Sequence, residues 1–213
     1  MTRSNIVWTG TVGLIAATLT GTGEFLLHYD ATARFAENQF FLGISDSRSN
    51  LGHFFGVLGA PLYIVGAWHI QAMLKPANQR WAMIAFLITA YGFAVGAVWI
   101  GSRASLSALI NLPASPDVES LLGLYDLRYE TLLQVIRLAV LLLSVIFIWL
   151  TLSGKSHYPK WMAALNPILL TVASFVVYAV MPSVGKYLMP IALNVAFFIF
   201  FLASIRIATK KGL

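Results

Sequence analysis

Glu24 and His28 stand four residues apart in an otherwise apolar stretch, TLTGTGEFLLHYD. On a helix that spacing puts a carboxyl group and an imidazole on one face. Asp126, Glu130, Gln134 and Arg137 follow one another at intervals of four, four and three, again one helix face. His53 opens a second apolar run and Arg103 closes a third. Ionisable side chains inside apolar segments are costly and usually have a purpose. Here they gather toward the same ends of their segments. Arg137 lies deepest, about 10 Å inward of Glu130 at the helical rise per residue.

Three chemistries could use such a set. In the first, a carboxyl group shielded from water donates a proton to an alkene or epoxide, with a second acid or base nearby. Glu24 and Glu130 are the candidate acid and base, and His28 and His53 would orient groups or relay protons. Trp99 and Tyr129 would offer aromatic faces to a developing cation. Arg103, Asp126 and Arg137 would bind the substrate. In the second, Glu24 and His28, and likewise Asp126 and Glu130, have metal-ligand spacing four apart, and His53 would complete the set around an ion. In the third, a non-catalytic lipid-binding, transport or sensory protein, arginine anchors an anionic headgroup and no chemistry follows. Arg137 is the expected anchor, with Glu130 or Glu24 as its carboxylate partner.

These residues need membrane-spanning elements to position them. The chain has 213 residues, of which 59% are hydrophobic and 10% charged, and its mean hydropathy is +0.79. A soluble domain runs nearer half apolar and a quarter charged. The composition therefore excludes a water-soluble globule, a disordered chain and a coiled coil. Cysteine is absent, which removes disulfides, thiolate metal sites and a cysteine nucleophile. No Walker loop, dinucleotide-binding glycine pattern, HExxH or GxSxG occurs, so nucleotide and zincin chemistry have no support.

A span needs about 20 apolar residues, and six are expected, at about 6–27, 53–74, 81–101, 129–152, 162–182 and 186–208. The fold class is thus an all-α integral membrane protein, one six-helix bundle over residues 1–213. An even number of spans puts both termini on one side. That side carries Arg3, Lys75, Arg80, Lys155, Lys160, Arg206, Lys210 and Lys211 without an acid, while all eight acidic residues lie on the other side or at its edge. The excess of basic residues over acidic ones, +6 in all, reads as orientation, with cytoplasmic termini, and not as nucleic-acid binding.

Two outer loops are then expected, 28–52 and 102–128. Within the first, residues 31–43 mix Phe35, Phe40, Phe41 and Leu42 with Arg34 and Glu37, the composition of either an interfacial helix or an anchored loop. Within the second, Ser115, Pro116, Asp117 and Glu119 form a helix start, which either breaks at Gly123 or continues into the fourth span. Small residues mark packing faces: Gly10, Ala17 and Gly21; Gly52, Gly56 and Ala60; Thr89, Gly92 and Gly96. They aim the polar ends inward. Pro61 should kink the second span and free the carbonyl near Val57. His69 reads as a polar end group, His157 as a loop residue, Asn166 and Asn194 as interhelical hydrogen bonds, and most tryptophans as belt residues.

Two stretches, GEFLLHYD at 23–30 and GHFFGVLGAPLYIVGAWHI at 52–70, resemble a family of small bacterial membrane proteins of unknown function. The resemblance implies a multi-pass protein of the bacterial inner membrane and supplies no activity. Membrane lipids are the expected surroundings and a lipid-like small molecule the expected ligand. Substrate, metal and oligomeric state stay open at this point.

Overall fold

The structure, a computed structural model, describes residues 3–29, 31 and 40–213, and every regular element among them is helical. The elements are α1 (Arg3–His28), α2 (Asp46–Gly59), α3 (Leu62–Leu74), α4 (Gln79–Ile110), α5 (Pro116–Leu152), α6 (Pro167–Val180), α7 (Pro182–Leu188) and α8 (Ala192–Lys210). Short 3-10 segments lie at Lys160–Leu165 and Met189–Ile191. Five stretches are long and apolar enough to cross a membrane: Asn5–His28, Asp46–Leu74, Gln79–Ile110, Pro116–Leu152 and Pro182–Lys210. The expected span at 162–182 is the exception. Its helix, α6, has 14 residues and is about 21 Å long at the helical rise.

Helix ends follow local chemistry. Ser45, Asn78, Ser115 and Asn166 each accept a hydrogen bond from the first turn of the helix they precede. The start at Ser115 is as expected, and α5 runs on through Gly123 to Leu152. The expected loop at 102–128 therefore shrinks to 111–115. The other shrinks too, because α2 begins at Asp46 and takes in His53. Of the mixed segment 31–43, Arg34, Phe35 and Glu37 lie outside the described residues. Its end is not an interfacial anchor: Phe41 is fully buried, and Asn111 donates from Nδ2 to its carbonyl at 3.1 Å.

Pro61 does more than kink. It has no N–H for the Val57 carbonyl, and the helix breaks there. The Ala60 N–H still reaches the Gly56 carbonyl at 2.9 Å, but Tyr63 and Ile64 donate only three residues back, to Ala60 and Pro61. A second break falls at Met181 (φ −133°, ψ 72°), the residue before Pro182, where the proline ring disfavours the helical region.

α1 is the centre of the bundle, packed on α2, α3 and α8, while α5 packs mainly on α4 and little on α6. Small residues make the close crossings. A methyl group on Gly23 would lie 2.5 Å from the Gly56 nitrogen and 2.7 Å from the Gly52 carbonyl oxygen. α1 and α2 thus meet backbone to backbone just below Glu24. Gly10 makes room for the His69 ring, Gly21 for Asn194, and Gly92 for Ala139 on α5. The main core is aromatic. Tyr63 stacks on Phe93 with centroids 3.9 Å apart, and Phe147, Tyr158, Phe197, Phe200 and Phe201 continue the cluster.

Several chain segments share one end of the bundle. The His157 N–H donates to the Met73 carbonyl at 3.0 Å, and Lys211 lies close enough to act on the His157 ring. His157 is the loop residue expected. Partial burial and the Lys211 charge hold its imidazole below the ordinary range. Five of the six tryptophans, Trp8, Trp68, Trp81, Trp149 and Trp161, face outward, and Trp81 meets Trp149 edge to face at 5.4 Å.

Candidate functional site

At the other end of the bundle, a cavity of about 570 Å³ lies between α4, α5, α6 and the α1–α8 pair. Glu24, His28, Trp99, Arg103, Tyr129, Glu130 and Arg137 all line it. Seven of the nine sequence candidates therefore converge. His53 does not. Its ring packs beside Phe54 and near Gly101, and its buried Nδ1 finds no hydrogen bond. The glycine face of α2, Gly52 and Gly56, packs on α1 at Gly23, and His53 beside it lies against Gly101 of α4, off the cavity wall. Asp126 is also absent from the lining, although its carboxylate acts on Arg103 from within electrostatic range.

Arg103, and not Arg137, is the buried guanidinium, with 1% of its surface exposed. Its Nε donates to His28 Nε2 at 2.7 Å. A guanidinium keeps its proton, so His28 Nε2 must be the acceptor and the ring is neutral with hydrogen on the other nitrogen. The Pro190 carbonyl is the ring's backbone hydrogen-bond acceptor. Aromatic faces surround the cation: Tyr129 at 3.8 Å from the guanidinium carbon, Phe41 at 4.5 Å, and Phe40 and Trp99 at 5.3 Å. Such contacts stabilise a desolvated cation by about 2 kcal/mol or more. His28 sits in the same box, edge-on to Phe40, Phe41 and Trp99. Arg103 Nη1 is buried and has no hydrogen-bond acceptor among the described residues, and the same holds for Trp99 Nε1. Among the described residues no carboxylate lies within ion-pair distance of Arg103, though Glu24, Glu130 and Asp126 all act on it at longer range.

Glu24 is held from across the bundle. Asn194 on α8 donates from Nδ2 to Glu24 Oε2, and Tyr63 donates its hydroxyl to Asn194 Oδ1 at 2.7 Å. The chain Tyr63–Asn194–Glu24 ties α3, α8 and α1 together at the cavity wall. Asn194 is thus an interhelical bond, as expected, but Asn166 is not. It caps α6 and donates to the nearby Ala163 carbonyl. Tyr63 had no distinguishing signal in the sequence beyond its place after Pro61. Asn194 did, as an amide within an apolar run, but its partner could not be read.

Arg137 meets Glu130 at 3.9 Å, with 58% and 48% of the two side chains exposed. The carboxylate partner is the one favoured by helix face, but the pair sits at the cavity rim. Glu130→Gln is expected to destabilise more than Arg137→Leu, because it leaves the guanidinium without its carboxylate on a membrane-spanning helix. Equal effects of the two changes in a denaturant titration would show that Arg137 does not depend on Glu130.

A metal centre is not what these residues build. Among the described residues no three of His, Asp and Glu come close enough to share an ion. His28 Nε2 is taken by Arg103, and His53 stands apart.

His69 is not a polar end group. It is fully buried at the opposite end of the bundle, where its Nδ1 lies 2.8 Å from the Ile6 carbonyl and its Nε2 2.6 Å from Ser204 Oγ. Ser204 Oγ in turn lies 2.9 Å from the Tyr158 hydroxyl. A carbonyl can only accept, so the direction is set: Nδ1–H to Ile6, Ser204 O–H to Nε2, Tyr158 O–H to Ser204.

The fold and cavity define a class, an all-helical protein with five apolar helices of membrane-crossing length around a pocket of charged and aromatic side chains. The chain belongs to a family described as one of unknown function, DUF6796, whose model matches residues 1–111 and 118–211. No curated protein and no solved structure matches it.

Proposed function

We propose that this is an integral protein of the bacterial inner membrane with six spans and cytoplasmic termini, whose cavity receives a lipid-like molecule. The 3-10 segment Lys160–Leu165 together with α6 serves as the fifth span. Six residues at about 2 Å each, added to α6, bring its length close to the roughly 30 Å of the hydrocarbon core. The termini belong to the end where Lys75, Lys155, Lys160, Lys210 and Lys211 collect, the side that the distribution of basic residues assigns to the cytoplasm. The cavity then opens in the outer half. The observation that carries the ligand reading is the cavity wall itself. Its polar groups are few and cluster around Glu24 and Arg103, while Leu133, Ile136, Val140, Ile168, Val172 and Phe175 make the rest apolar. A volume near 570 Å³ suits a single small molecule. The apolar part lies between α5 and α6, which touch little, so a molecule dissolved in the bilayer has a lateral way in.

The Tyr63–Asn194–Glu24 chain favours a second reading, acid–base catalysis on a lipid or isoprenoid. It fixes one oxygen of Glu24 and leaves the carboxyl group facing the cavity, as a proton donor needs. Native mass spectrometry of the protein released from a non-ionic detergent tests both. A bound amphiphile is expected on the wild type and is lost in Leu133→Trp, which fills the apolar part. If Glu24→Gln retains a molecule that differs from the wild type's in mass or, as an isomer would, in chromatographic retention after extraction, Glu24 acts on it chemically. A wild type that retains nothing, under conditions where lipids are offered, overturns the ligand reading.

A further inference from the structure

Two hydrogen-bond donors on this cavity have nothing to donate to. Arg103 Nη1 and Trp99 Nε1 are both buried and unpartnered among the described residues. Both side chains line the cavity, and they are four residues apart on α4, one helix face. Their residues are 99% and 92% shielded, with exposures of 1% and 8%. A buried donor left unmade is costly, and more so for a charged one. Thr20 Oγ1 is the third unpartnered polar atom on the wall. Nothing in the aromatic box can satisfy them, because Tyr129, Phe41 and Phe40 offer the guanidinium only their ring faces.

We infer that the cavity binds a long-chain carboxylate, its headgroup oxygens accepting from Arg103 Nη1 and Trp99 Nε1 and its tail lying along Leu133, Val140, Ile168 and Val172. The inference rests on the lipid-like ligand proposed above and adds the chemistry of its head. The guanidinium carbon lies 5.3 Å from the Trp99 ring centroid, and a carboxylate has two oxygens, one for each donor. The charge of the wall argues for one negative charge and against two. Arg137 is paired with Glu130, which leaves Arg103 as the one cation among the lining residues without a carboxylate in ion-pair reach, so a dianionic phosphate monoester would bring a second charge with no cation to meet it. A cationic head would face Arg103 directly.

The test compares four probes of equal chain length, palmitate, hexadecanol, hexadecyl phosphate and hexadecyltrimethylammonium, by native mass spectrometry at alkaline pH, where the acid is ionised. Palmitate is expected to bind at least tenfold tighter than hexadecanol, since a hydrogen bond to a charged group is worth about ten- to hundredfold. Trp99→Phe keeps the ring stacked on Tyr129 but removes the N–H, and should reduce that preference about tenfold while leaving hexadecanol unchanged. Arg103→Gln should abolish the preference. Should it fail to fold, Trp99→Phe decides. If hexadecanol binds as tightly as palmitate, or the preference survives Trp99→Phe, the carboxylate head is wrong and the cavity reading stands. Tighter binding of hexadecyl phosphate or of the ammonium probe also overturns it. If none of the four binds, or Leu133→Trp displaces none, the ligand reading itself falls.

Discussion

His28→Leu is expected to destabilise the protein by about 3 kcal/mol, measured by unfolding in mixed micelles. Arg103 is the most deeply buried charge among the described residues, and His28 Nε2 is the acceptor for its Nε, at 2.7 Å. Leucine removes the acceptor and leaves the charge. Stranding a buried charge costs on the order of 3–5 kcal/mol, and the aromatic faces around Arg103 offset part of that. Arg103→Leu should also destabilise, because it empties the box formed by Tyr129, Phe41 and Trp99. The double variant is the informative one. With the charge gone, His28→Leu no longer strands anything, so the two changes together should cost less than their sum by about 1 kcal/mol or more. Strict additivity would mean that the two side chains do not depend on each other. The same cycle run on Arg137 and Glu130 measures how strongly the pair at the cavity rim, 3.9 Å apart, is coupled by comparison.

The second large effect is expected at the other end of the bundle. His69→Leu should cost about 3 kcal/mol, and Ser204→Ala about half as much. His69 bridges the Ile6 carbonyl of α1 and the Ser204 hydroxyl of α8 from its place on α3. Losing it strips two buried hydrogen bonds, each contributing about 1 kcal/mol net, and leaves the serine short of an acceptor. Ser204→Ala removes one bond to His69 and one from Tyr158, but both remaining groups are larger and better able to shift. The cavity at the other end does not reach His69, Ser204 or Tyr158, so the effect should fall on the midpoint of unfolding. An unchanged midpoint in His69→Leu would show that this chain does not hold α1, α3 and α8 together.

Much of this protein is legible in its amino-acid order. Apolar runs mark where helices run, because an apolar stretch of that length has few other structures to adopt in a bilayer. Ser115 and Pro116 mark a helix start, and Pro61 a helix break, through purely local chemistry. The four-residue spacings bring Glu24 and His28, and Glu130 and Arg137, to shared faces, and the glycines at 52 and 56 predict the close crossing that turns α1 inward. Those are relations within one helix or between a helix and its immediate neighbour.

What the tertiary structure alone decided is which groups meet across the bundle. Arg137 reads as the deep charge because depth along a helix is countable, but burial depends on what covers the side chain. α6 leaves Arg137 at the rim, whereas Phe41, Tyr129 and Trp99 enclose Arg103. His53 reads as a site residue until the packing of α2 is known: Gly52 and Gly56 meet α1, and His53 beside them faces Gly101 of α4 and not the cavity. Tyr63 and Asn194 lie 131 positions apart, and His69 and Ser204 lie 135 apart. A hydrogen bond between such residues leaves no spacing to read, because its geometry is set by how α3 and α8 pack on α1 and not by any period within either helix.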